Sequence, residues 1–444
     1  MHLRGAGNSM MKAVFTSRLG QQTFSYFMAQ LANAAIGLAV LAVLTRSLSL
    51  TDFGAYSFVL TLITFVGLFF DFGMSPSGAR LMALAQNPEE QRSRAGVLLA
   101  GAGVLGLGLS IVLAFGSLFI DALFGQNLSA LLLLAAPFAL VLPVQESVLL
   151  LCQGSNRIGL LSVVTVLPRV LLLPALLIIA SSGGMRTSHA IAATLAATVV
   201  AVALAVALLR PRMHAFRANA RLLRTEMREF GRQTYAGRLV DSLTTGVDRM
   251  LLSKFHGLAP VGLYSIAFTM ATPISMLSRS LASSAYHRFA NEDAIPRRML
   301  VMNAAWCVAG AAALVASGAL IITVFFSRNY LPSLSVLPFL ACGAALVGLN
   351  SLFHSFFMAR REGRVIRIMA FATSGANVIL NIALVPVLSM AGAGIAFVSS
   401  NALNLVLNVL YYKRYRMRVA QAPSSTEPRL HEDGTENFSR YTEC

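Results

Sequence analysis

Long apolar runs, nearly free of charge, recur from residue 20 to residue 412 and fix the solvent this chain folds in. Inside a bilayer no water satisfies backbone N–H and C=O groups, so a spanning segment is a helix or part of a closed barrel. No stretch of about ten residues alternates polar and apolar side chains as a barrel strand does. About twelve helical spans can be drawn, near residues 20–44, 55–72, 96–119, 128–151, 159–180, 188–209, 234–256, 262–283, 300–326, 333–357, 365–388 and 391–412. Charged residues make up 12% of the chain, where a soluble domain would carry about 25%. The reading is an all-α, multi-pass membrane protein. The first run, beginning near Leu19, has no small-residue cleavage site and reads as a retained helix.

The chain is internally duplicated. Placing Gly54 on Gly262 aligns DFGAYSFVLT with PVGLYSIAFT, so that Tyr56 falls on Tyr264, Ser57 on Ser265 and Arg46 on Lys254. Further on, Phe124 to Asn127 reads against Phe326 to Asn329. Each copy contains the same number of apolar runs, which predicts two six-helix lobes in the same membrane sense around a central cavity. The expected divisions are an N-terminal lobe 1–210, a linker 211–233, a C-terminal lobe 234–412 and a disordered polar tail 413–444. Within the linker, Arg217, Arg221, Arg224 and Arg228 share one helical face, and Phe216, Ala220, Leu223, Met227 and Phe230 another. That pattern predicts a basic amphipathic helix lying in the membrane interface, as a plain connector or as a headgroup contact.

The net charge is +17, and its distribution is a topology signal rather than a nucleic-acid footprint. With both ends cytoplasmic, 25 of the 35 Lys and Arg flank the cytoplasmic side, while Arg46, Arg186, Lys254 and Arg328 lie outside. Short external connections leave no room for a large external catalytic domain. There is no GxxxxGK phosphate loop, the histidines are dispersed, and the four cysteines suggest neither a metal site nor a disulfide framework. No cofactor is called for.

Ionisable groups inside spans carry the functional signal, since each costs about 2.5–3.5 kcal/mol on insertion scales. Arg238, Asp241, Thr245 and Asp248 share one face of the seventh span, with Arg249 beside them. In the repeat register the first span offers Gln30, Asn33 and Gly37. Arg169 and Arg279 have no acid within four residues, and Asp71 and Glu146 are candidate partners. Two readings stay open: buried salt bridges that fix the lobes, or a hydrated cavity in which arginines meet an anionic group and carboxylates a coupling cation. Asn377/Asn381 and Asn404/Asn408, each pair one turn apart, read as helix-packing glue.

TRSLSLTDFGAYSFVLTLITFVGLFFDFGMSPSGAR resembles the first helical hairpin of bacterial polysaccharide exporters, with an Arg-x-Leu loop, an acidic-x-Gly-x-Tyr turn, and a later acidic-x-Gly followed by Arg. The segment 363–414, with Asn-x-x-x-Asn, a proline and a Gly-Ala turn, resembles their last helix pair. The likeness runs through residues 15–415 and points to the multidrug/oligosaccharidyl-lipid/polysaccharide exporter superfamily, in the branch of O-antigen and exopolysaccharide flippases. Ser49 stands where that pattern has glycine. The resemblance implies alternating-access movement of an undecaprenyl-pyrophosphate-linked oligosaccharide across the inner membrane, with polymerase and chain-length regulator as pathway partners. In that reading the intramembrane polar groups Arg238, Arg249, Arg169, Arg279, Gln30 and Asn33 are the candidate substrate contacts, and Asp241, Asp248, Asp71 and Glu146 the candidate coupling or charge-pair groups. A multidrug cation antiporter or a lipid II flippase of the same superfamily is the alternative; a membrane-embedded polymerase or ligase would need a large external loop.

Overall fold

The computed structural model describes residues 18–421, apart from 233–234, 236–238, 240–245, 286–287, 290–291 and 361. The described residues form helices and no strand. The first half runs α1 (Arg18–Ser47), α2 (Leu50–Phe69), α3 (Met74–Ala83), α4 (Pro88–Phe124), α5 (Ser129–Ala139), α6 (Val141–Gly154), α7 (Ile158–Ser181) and α8 (Thr187–Leu209). The connector contains α9 (Phe216–Glu226), and the second half α10 (Val247–His256), α11 (Leu258–Ser284), α12 (Arg297–Phe325), α13 (Leu337–Ala359) and α14 (Gly363–Gln421).

Nine described helices are long and apolar enough to cross a membrane, ten if α5 and α6, bent by 42°, count as one broken span. The break sits at Leu140, where Pro143 cannot donate to the carbonyl four residues back. α14 is itself two crossings. Ser389, at φ 51° and ψ −131°, reverses the chain; Gly392 then packs on the backbone of Leu384 and Val385, and Asn377 Nδ2 donates to Ser400 Oγ across the hairpin at 3.1 Å. The seventh expected span, 234–256, is described chiefly through α10.

Local chemistry sets the helix ends. Asn87 caps α4, its side chain accepting from the Glu90 N–H at 2.8 Å with Pro88 in the first turn. Ser49 caps α2, accepting from the Asp52 N–H at 3.1 Å and donating to Asp52 Oδ2 at 2.7 Å. Its φ of −65° is open to any residue, so the turn does not need the family's glycine. Along α4, Val104, Leu107, Ile111, Phe115 and Leu118 form an exposed apolar stripe, the face that meets lipid.

One buried core joins the two halves, with Leu44, Phe58 and Leu128 from the first packed with Tyr264, Ile266 and Leu340 from the second. Two further cores are private. Met82, Leu98 and Leu151 belong to the first half alone; Phe289, Phe356 and Phe357 belong to the second. The salt bridges Arg80–Glu226, Arg94–Glu90, Arg212–Glu89, Arg360–Asp293 and Arg418–Glu362 lie at the end where the cores are separate. The shared apolar core therefore lies at one end, while nearer the other Tyr235 donates through its hydroxyl to the Phe69 carbonyl at 2.9 Å and its ring lies 5.8 Å from that of Phe72.

The joined end is built twice over by the repeat. Gly54 of α2 lies against the backbone of Leu258 at the start of α11, and Gly262 of α11 lies 3.0 Å, measured from a hypothetical Cβ, from the Leu50 carbonyl oxygen. Beside this crossing Arg46 donates to the Val324 carbonyl and Lys254 to the Leu123 carbonyl. Both acceptors fall in the last turn of a helix of the opposite lobe, α12 and α4, whose final carbonyls have no partner within the helix. Tyr330, in the 3-10 turn Arg328–Ser335, packs edge-on against Phe53 with ring centroids 5.9 Å apart. Burial, and after it the charge of Asp52, pushes its hydroxyl above the usual tyrosine range.

A cation at a helix C-terminus is worth about 0.3–1 kcal/mol. The double variant Arg46→Gln with Lys254→Gln is therefore expected to weaken closure of this end by about 1–2 kcal/mol, roughly 5- to 30-fold in a two-state ratio. The check is the rate at which a single cysteine placed in the cleft reacts with an impermeant thiol reagent added from the joined side. An unchanged rate would mean the two contacts are incidental.

Candidate functional site

α11, α13 and both arms of α14 enclose a cavity of about 480 Å³ within the C-terminal lobe, a size typical of ligand sites. Among the described residues Arg279 and His354 are its ionisable side chains, and no carboxylate lines it. The rest of its polar lining is amide and hydroxyl, from Asn401, Asn404, Asn408, Thr272, Ser275, Thr373 and Ser374. Phe268 and Phe397 form an aromatic corner, T-shaped with centroids 5.7 Å apart. Arg279 is exposed and forms no salt bridge with a carboxylate among the described residues.

The amides both pack and line. Asn350 Nδ2 donates to the Asn401 carbonyl, and Asn408 Nδ2 to Asn350 Oδ1 and Asn404 Oδ1, each at 3.1 Å. Asn404 and Asn408, read from sequence as glue, thus also face the cavity, and Asn401 joins them at helical spacing. Asn377 and Asn381 stay within the hairpin, Asn381 Nδ2 donating to Asn377 Oδ1 at 3.0 Å.

Arg249 stands where the lobes meet. From the C-terminal half it donates through Nη1 to Thr61 Oγ1 of α2 at 2.9 Å, and its guanidinium carbon lies 5.3 Å from the Phe268 ring centre. Its Nε is buried without a hydrogen-bond partner. Phe268 links this arginine to the cavity, since the same ring is part of the lining. Asp248 is buried and accepts from the Arg249 N–H at 2.8 Å, which orients the start of α10.

The other candidates lie apart. Arg169 of α7 donates to the Asn33 carbonyl of α1 and lies directly over Gly37, which admits it by having no side chain. No carboxylate among the described residues forms a salt bridge with it. The Asn33 Oδ1 is buried and unpartnered; Gln30 is one turn earlier on the same helix. Asp71, read from sequence as a candidate charge partner, accepts from the Ser75 N–H at 3.2 Å in the first turn of α3. Glu146 is half-buried on α6, next to Ser147, whose hydroxyl meets Ser75 Oγ at 3.0 Å. Neither acid forms a salt bridge with Arg169 or Arg279. Arg238 and Asp241 lie outside the described residues. Among the described residues no three His, Cys, Asp or Glu side chains gather as metal ligands would.

Three solved structures share the architecture. The lipid II flippase MurJ in an inward closed conformation is 15% identical, with a TM-score of 0.70 over 89% of each chain. A multidrug resistance MATE family transporter of the MOP superfamily, also 15% identical, gives 0.69 in its inward-facing form, over 89% of this chain and 96% of the other. An outward-facing form of such a transporter gives 0.61 over 90% and 95%. No curated protein sequence matches. Residues 19–292 match the family described as "Polysaccharide biosynthesis protein". With that match over more than half of its length, the chain belongs to the polysaccharide biosynthesis protein family.

Proposed function

We propose that the protein is a flippase that carries a polyprenyl-pyrophosphate-linked oligosaccharide from the cytoplasmic to the outer leaflet of a bacterial inner membrane, in O-antigen or exopolysaccharide synthesis. The observation that carries the reading is a polar cavity with no carboxylate among its described lining, bordered by Arg279 and with Arg249 5.3 Å from the ring centre of its lining residue Phe268. A pump for cationic drugs would place acids there. A pyrophosphate instead favours cations in a place where water is scarce. Arg249, Arg279 and Arg238 are assigned to the anionic linkage as the lobes rock, with Arg169, Gln30 and Asn33 on the N-terminal side of the path; Asp248 and Asp241 are the groups for a coupling cation. The prenyl tail stays in lipid between the lobes. In this reading the arginine-rich end faces the cytoplasm, as do both termini. Polymerase and chain-length regulator are partners by pathway.

Deleting the gene should leave lipid-linked oligosaccharide on the cytoplasmic face, abolish surface polysaccharide and leave drug resistance unchanged; lost drug resistance with normal polysaccharide would favour the antiporter. Energetics add a second test. Moving about two negative charges outward, against a negative cytoplasm, gains roughly 4–5 kcal/mol per 100 mV. Flipping in proteoliposomes should therefore speed up when the starting compartment is made negative, and indifference to an imposed potential would remove charge movement from the driving step.

A further inference from the structure

We propose that the C-terminal-lobe cavity is a saccharide-binding site that reads the neutral part of the glycan, which rests on the flippase reading above. Two of its polar atoms are unspent. Thr373 Oγ1 and Asn408 Oδ1 are buried, at 8% and 2% residue exposure, and neither has a hydrogen-bond partner. Other threonines in the spans are satisfied locally: Thr61, Thr165, Thr194 and Thr269 each donate to the carbonyl four residues back. A buried polar atom without a partner is costly unless something supplies one.

The rest of the lining narrows the ligand's chemistry. An apolar tail would leave those atoms unpaired and a cluster of amides and hydroxyls idle. Among the described lining residues a cation would meet Arg279 and no acid, while a multiply charged anion would find Arg279 and His354 as its ionisable contacts. A neutral polyhydroxy compound answers both unspent atoms, donating to Asn408 Oδ1 and accepting from Thr373. It can also lay the C–H face of a ring on the Phe268–Phe397 corner. Arg279 then lies where the neutral sugars give way to the charged linkage.

The chain supplies its own reporter. Trp306 is the sole tryptophan, and its Nε1 donates to the carbonyl of Ile274, the neighbour of the lining residue Ser275, at 3.1 Å. Its emission in purified full-length protein can be titrated with neutral hexoses, 6-deoxyhexoses, N-acetylhexosamines and their disaccharides, and separately with inorganic pyrophosphate. At least one neutral class is expected to give a saturable shift. Thr373→Val, which keeps the side chain's shape and lies outside the asparagine network, is expected to weaken that affinity at least tenfold, and Asn408→Leu likewise. Arg279→Gln should affect pyrophosphate more than sugar. No response to any saccharide, a response to pyrophosphate alone, or equal saccharide affinity in Thr373→Val overturns the proposal. Transbilayer movement of lipid-linked oligosaccharide, measured separately, keeps the two readings apart: saccharide binding without movement defeats the flippase reading alone, and movement without saccharide binding defeats the cavity assignment alone.

Discussion

Alanine at position 54 is expected to destabilise the protein by about 1–3 kcal/mol, the usual range for forcing extra volume into a packed contact, whereas alanine at position 262 costs far less. Within a helix, glycine to alanine ordinarily gains about 0.5–1 kcal/mol. The sign should reverse at Gly54, because the added Cβ would overlap the carbonyl of Leu258, and backbone at the head of α11 cannot turn aside as a side chain can. At Gly262 the nearest atom is the Leu50 carbonyl oxygen at 3.0 Å, so a shift of a few tenths of an ångström suffices. The two glycines are equivalent in the repeat but unequal in space, and melting curves of the two purified variants compare them directly. Gly54→Ala melting at or above the parent protein, or Gly262→Ala being the worse of the two, would contradict the tight crossing.

Arg249→Gln is expected to lower translocation at least tenfold with little change in membrane abundance. Losing one charge-assisted hydrogen bond is worth about 1.5–3 kcal/mol, roughly 10- to 150-fold in rate or affinity. The side chain joins the lobes through Thr61, rests on Phe268 and keeps one buried N–H unused. Such an arginine is held for something that arrives. Lysine should not restore activity, since a single ammonium cannot reach Thr61, lie flat on the Phe268 ring and offer a further donor at once. Full activity in either variant would make Arg249 a structural tie between the lobes.

Much of this architecture was legible in the amino-acid sequence. The register that sets Gly54 on Gly262 and Arg46 on Lys254 reappears as a reciprocal crossing and a reciprocal pair of helix-end contacts, because the duplication preserves which face of each helix meets the other lobe. What was not legible depended on which helices pack together. An aspartate at the end of an apolar run reads alike as a charge partner and as an acceptor for a helix start, and spacing alone did not show that Asp71 accepts from the Ser75 N–H of α3. Asn404 and Asn408 read as glue because a sequence shows the spacing of amides but not the empty volume beside them. Thr373 and His354 carried no signal, since their place in the lining depends on α11, α13 and α14 closing on one another.

The most direct test of the central claim is transbilayer movement itself. Purified protein is placed in proteoliposomes loaded with a polyprenyl-pyrophosphate-linked oligosaccharide, and the fraction open to an impermeant glycan-cleaving enzyme or lectin is followed in time. The account predicts protein-dependent exposure of the glycan that slows at least tenfold in Arg249→Gln. Exposure no faster than in empty liposomes would contradict it.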